Sequence, residues 1–60
     1  MTKYEVAFKP TDKVGDHYQL TVTAPSLSRA VTLAHDNLAK IIGRANARTY
    51  AAFMAQEKQS

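Results

Sequence analysis

The chain has no cysteine, and that absence removes disulfide staples, thiolate metal sites and cysteine nucleophiles together. A secreted domain this small usually depends on such staples, so a reducing cytoplasm is the expected setting. No segment approaches the ~20 apolar residues of a membrane span, and "MTKYEVAFKP" lacks the apolar run of a signal peptide. Neither membrane insertion nor export by that route is expected. Carboxylates are few, and Glu5, Asp12, Asp16, Asp36 and Glu57 form no paired arrangement suited to acid–base work. His17 and His35 lie far apart, with no second histidine at ligand spacing, so no metal site is expected. Ser26 and Ser28 have no histidine placed by sequence to activate them. The run holding Asp12, Lys13, Gly15 and Asp16 is turn chemistry, too short for a calcium loop. The expectation is therefore a protein that is not an enzyme, with no catalytic residue and no cofactor.

What is present is 60 residues, enough for one domain that buries about 60% of the surface its unfolded chain exposes. Without staples, a core of that size relies on idealised packing or on oligomerisation. An apolar content of 45% permits both, and a homo-oligomer, in the simplest case a homodimer, is expected.

The first third alternates. In "KYEVAFK" (3–9), Tyr4, Val6 and Phe8 fall on one side, with Lys3, Glu5, Ala7 and Lys9 on the other, the period of a strand with one wet face. In the second run (17–24), Tyr18, Leu20, Val22 and Ala24 oppose His17, Gln19, Thr21 and Thr23. "PTDKVGD" between them is rich in turn formers, so the two runs read as an antiparallel hairpin.

A helix is predicted next. Ser26 is a suitable N-cap, and Leu27, Val31, Ala34, Leu38, Ile41 and Ile42 recur at helical spacing opposite Arg29, Asp36 and Lys40. On an unbroken helix Ala45, Thr49 and Ala52 continue that stripe, whereas Tyr50, Phe53 and Met54 fall on another side. The favoured reading is a single helix over 26–57, straight or kinked; the other is a break at 43–46 with a second helix starting near Asn46. The fold class is thus α+β, a β-hairpin followed by a long C-terminal helix (ββα), completed by oligomerisation because a lone hairpin leaves both edges open.

The broken version resembles the helix-turn-helix motif of DNA-binding repressors. Ala39, Gly43 and Thr49 occupy the motif's alanine, turn glycine and β-branched anchor, although Arg44 stands where an apolar residue is usual. The resemblance implies a DNA-binding regulator with Asn46, Arg48 and Tyr50 at the start of a recognition helix. Lys40, Arg44 and Arg48, four apart, would add a phosphate-tracking ridge; the other reading is a solvated face, with Asp36 one turn before Lys40. The net charge of +3 and pI near 9.5 are modest for that role.

A second resemblance runs through "YEVAF", the following strand and "SLSRAVTLAHDNL", whose order is similar to the N-terminal part of HicB-type antitoxins. It implies a module that acts by direct binding to a partner protein. Small chains of this architecture are also similar to phage and mobile-element accessory proteins, which implies a regulator or inhibitor. Protein binding is the favoured function, through Tyr50, Phe53 and Met54 bordered by Arg44, Arg48 and Lys58, since aromatics, Met and Arg are enriched at interfaces. The same patch would otherwise close the oligomer.

Overall fold

The computed structural model describes residues 1–12 and 15–58; Lys13 and Val14 of the turn-rich loop lie outside the described residues. The element order is β1 (Thr2–Pro10), β2 (Tyr18–Ala24), α1 (Leu27–Ile42), α2 (Arg44–Ala47) and β3 (Tyr50–Glu57). The three strands form one antiparallel sheet in the order β2-β1-β3, with α1 against one face.

The hairpin follows from the alternation. Val6 pairs with Leu20 and Tyr4 with Val22, so apolar residues meet on one face and Lys3, Glu5, Thr21 and Thr23 on the other. Ser26 caps α1, its hydroxyl accepting from the Arg29 amide at 3.3 Å. From α1, Ala30, Ala34 and Leu38 enter the core beside Val6, Phe8, Val22 and Ala24. Ala30 and Ala34 are small enough to bring the helix close to the sheet, while Leu27, Leu33 and Ile41 remain exposed.

The long C-terminal helix is overturned. Gly43 takes φ 91° and ψ 150°, a conformation almost confined to glycine, and ends α1 with its amide on the Ala39 carbonyl at 2.9 Å. One turn of helix follows, and residues 50–57 then extend as β3 and pair with β1. The hairpin therefore gains its third strand from its own chain, and among the described residues the outer strands β2 and β3 form the two edges of the sheet.

The helix-turn-helix reading falls with it. A recognition helix needs several turns to lie in the major groove, whereas α2 has four residues and leads straight into a strand. Asn46 does not start a second helix either. It lies within α2, and its amide donates to the Ile42 carbonyl at 2.8 Å, closing the end of α1.

Candidate functional site

α1 covers one face of the sheet and leaves the other bare. Cross-strand partners place Lys3, Glu5, Ala7 and Lys9 of β1 on the bare face, between Thr23, Thr21 and Gln19 of β2 and Gln56, Met54 and Ala51 of β3. Ala7 pairs with Met54 and Phe8 with Ala52, so Phe53 is the extra residue of a β-bulge. The bulge re-aims its side chain. Phe53 meets the His17 ring at 5.3 Å between centroids, and the Lys9 ammonium lies 5.5 Å from the Phe53 centroid.

Lys9 belongs to the bare face by its register, and its ammonium over the ring sets Phe53 on that face. Phe53 is nevertheless 48% exposed. An exposed ammonium over an aromatic face is worth about 0.5–1 kcal/mol, enough to bias the ring's position without hiding it. Beneath, Ala7 is buried although it stands on the uncovered side, and its pair partner Met54 is half-buried. A larger side chain at position 7, in the middle of the central strand and paired with Met54, would have to displace the groups that bury it.

Charge surrounds this apolar centre unevenly. The Lys58 amide donates to the Lys3 carbonyl at 2.9 Å, which brings two lysines together at one end of the sheet, and Lys9 stands toward the other. Glu5, between them, accepts from the Gln19 side-chain amide. The bare face thus presents Phe53 and Met54 between cationic groups.

The residues predicted to act together are divided by the fold. Phe53, Met54 and Lys58 belong to the bare face or its border. Tyr50 does not: it packs against the core on the opposite face, its ring edge-on to Tyr18 at 5.4 Å. Burial, with smaller contributions from Tyr18, Asp16 and Asp12, pushes the Tyr50 phenol above its ordinary pKa. Arg44 and Arg48 are exposed at the ends of the α2 turn, and Gly43 separates both from Lys40 in the last turn of α1. No single helix carries the three cations, so the predicted ridge is not formed. Thr49 and Asn46 are spent locally, with the Thr49 hydroxyl donating to the Asn46 carbonyl at 2.7 Å.

His17 and Lys9 are the members of this cluster that sequence reasoning missed. Alternation places both on the polar side of the hairpin, but nothing local says that an aromatic from position 53 will cross to them. Among the described residues there is no pocket and no group of three or more His, Asp or Glu side chains able to hold a metal ion. Among the described residues, no helix is long and apolar enough to cross a membrane. No protein-family model matches the chain, and no curated protein or solved structure matches it.

Proposed function

We propose that this protein is a non-enzymatic protein-binding module, a regulator or inhibitor that works by covering part of a partner's surface. The contact surface is the bare sheet face centred on Phe53. The observation that carries this reading is the bulge, which holds a large aromatic outward at 48% exposure beside Met54, Lys9 and His17. Aromatics and methionine are enriched in interface cores, and the rim around them is polar. The lysines Lys3, Lys9 and Lys58 select the partner's chemistry: an apolar anchor flanked by carboxylates. Arg44 and Arg48 stand apart from this face and extend the cationic border only for a partner large enough to reach α2. A cysteine-free chain suits a reducing compartment, and the cytoplasm is the setting assigned to this activity.

The test is a selection of displayed peptides against the full chain, followed by affinity measurement with the purified chain. Acidic peptides carrying an apolar anchor are expected, with affinity reduced at least about tenfold by Phe53→Ala, a loss of some 1.4 kcal/mol. A parallel titration with single-stranded and duplex oligonucleotides supplies the opposing result. Tight oligonucleotide binding whose logarithm falls steeply with the logarithm of salt, with no peptide recovered, would overturn the reading in favour of phosphate recognition.

A further inference from the structure

Helix α1 is packed with its small residues inward. Ala30 and Ala34 are fully buried, whereas Leu33 and Ile41 are 40% and 61% exposed and Leu27, at the first turn, 45%. At 100° per residue, His35 lies on one side of the buried stripe formed by Ala30, Ala34 and Leu38. Its Nε2 is 3.1 Å from the Ala47 carbonyl, and α2 leads into β3, so that flank faces the β3 side. Leu33 and Asn37 occupy the opposite flank, toward β2, the strand against which α1 makes most of its contact, whereas Ile41 is exposed at the end of the buried stripe.

The edge of β2 lies on that same side of the molecule. Its sequence, "YQLTVTA", holds no charge and no proline, the features with which natural edge strands discourage pairing, and its register with β1 is unbroken. The charges of the sheet sit mainly on the central strand β1, at Lys3, Glu5 and Lys9. β3, by contrast, is disrupted by the bulge at Phe53 and ends in Glu57.

We propose that a second copy of this chain docks on this side, β2 against β2 in antiparallel pairing about a twofold axis. The result is a six-stranded sheet in the order β3-β1-β2-β2-β1-β3. The sequence of β2 is self-complementary for that operation. With Thr21 opposite its own copy, Leu20 faces Val22 and Tyr18 faces Ala24 on the helix side, while Gln19 faces Thr23 on the bare side. Faces match because the register keeps the two-residue parity. The helices match as well. α1 advances ~1.5 Å per residue against ~3.4 Å in β2, so the level of Thr21 is near Leu33 and Ala34. The same axis sets Leu33 against Leu33 of the other copy.

α1 touches all three strands and β2 most, so across the joined sheet the two helices stand between about 10 Å, two strand spacings, and about 14 Å, three. The molecule measures 33 × 18 × 16 Å, so one long side offers on the order of 500 Å² in flat outline. With surface relief that approaches the ~800 Å² per partner of a standard interface. The pairing leaves both bare faces uncovered and side by side, and it stands whatever those faces bind.

The experiment uses the full chain. Analytical ultracentrifugation is expected to show a dimer at micromolar concentration, and Leu33→Glu to weaken the dimer at least about tenfold with the far-ultraviolet circular dichroism unchanged. Because the chain has no cysteine, Thr21→Cys supplies an independent reading that does not depend on tolerance of a new charge. It is expected to oxidise rapidly to a covalent dimer, whereas Gln56→Cys on β3 is not. A monomer at all concentrations, or cross-linking through Gln56→Cys in place of Thr21→Cys, would overturn the proposal.

Discussion

His35 donates from Nε2 to the carbonyl oxygen of Ala47 at 3.1 Å, and its ring meets Phe8 edge-on at 5.8 Å. One half-buried side chain thus ties α1 to the short turn that launches β3 and to the centre of the core. Removing both contacts with His35→Ala is expected to cost about 2 kcal/mol, the sum of one hydrogen bond and one aromatic pair. His35→Phe keeps the ring contact and should lose about 1 kcal/mol. Urea denaturation of the two variants checks the order; equal stability of wild type and His35→Ala would show that the tie contributes nothing.

Gly43 decides where the helix stops. A Cβ at that position would meet no atom within 4 Å, so Gly43→Ala has space. The penalty is conformational, since φ 91° with ψ 150° is a region that side chains other than hydrogen rarely enter. A loss of about 1–3 kcal/mol is expected by thermal or urea denaturation. A raised melting temperature would instead mark the glycine as an ordinary helix interior position, where alanine gains about 1 kcal/mol.

Tyr50 links stability to alkaline pH. Its phenol titrates above the ordinary value, because packing at the core and nearby Tyr18, Asp16 and Asp12 disfavour the phenolate. A folded-state pKa raised above the unfolded one contributes stability that is complete below the unfolded value. That contribution is lost as pH rises through the folded value. Stability should therefore fall as pH climbs past about 10, and Tyr50→Phe should flatten that part of the profile. Denaturation midpoints measured across the alkaline range provide the comparison, and parallel profiles for the two proteins would refute it.

Leu38 is one of three large, fully buried side chains, with Phe8 and Val6. Truncation to alanine typically costs 2–5 kcal/mol in a core, and a domain of this length has only about 3–9 kcal/mol in total. Leu38→Ala is expected to remove about half of that total, read as a large drop in the urea midpoint followed by circular dichroism. Phe53→Ala, at an exposed position, should retain wild-type helix and strand signal.

Much of the fold was legible locally. Alternation located β1 and β2 to within a residue at most boundaries, because a hairpin with one buried face writes its period directly into the chain. Ser26 marked the start of α1 through the chemistry of a first-turn amide. The favoured end of the helix was wrong. Apolar residues persist at helical spacing beyond Gly43, and the Ala-rich run "RANARTYAAFMA" is favourable to helix, so propensity and period both pointed past the break.

The sequence by itself determined the hairpin, the helix cap and the absence of cysteine chemistry, all of which rest on neighbours within a few residues; of the stripe expected on α1, Ala34 and Leu38 are fully buried, whereas Leu27 and Ile41 are exposed and Ala30 takes a core place. Only the tertiary structure decided β3, because that strand is held by pairing with β1, some forty or more residues away along the chain. The bulge also concealed it from any reading of period. Phe53 and Met54 are adjacent, yet both belong to the bare face, which interrupts the alternation a strand would otherwise display. The fate of Tyr50, Phe53 and Met54 followed from the same cause: one joined the core, and two were set on the uncovered side. A helix would have placed them together on one flank, but pairing with β1 divided them between the two faces of the sheet.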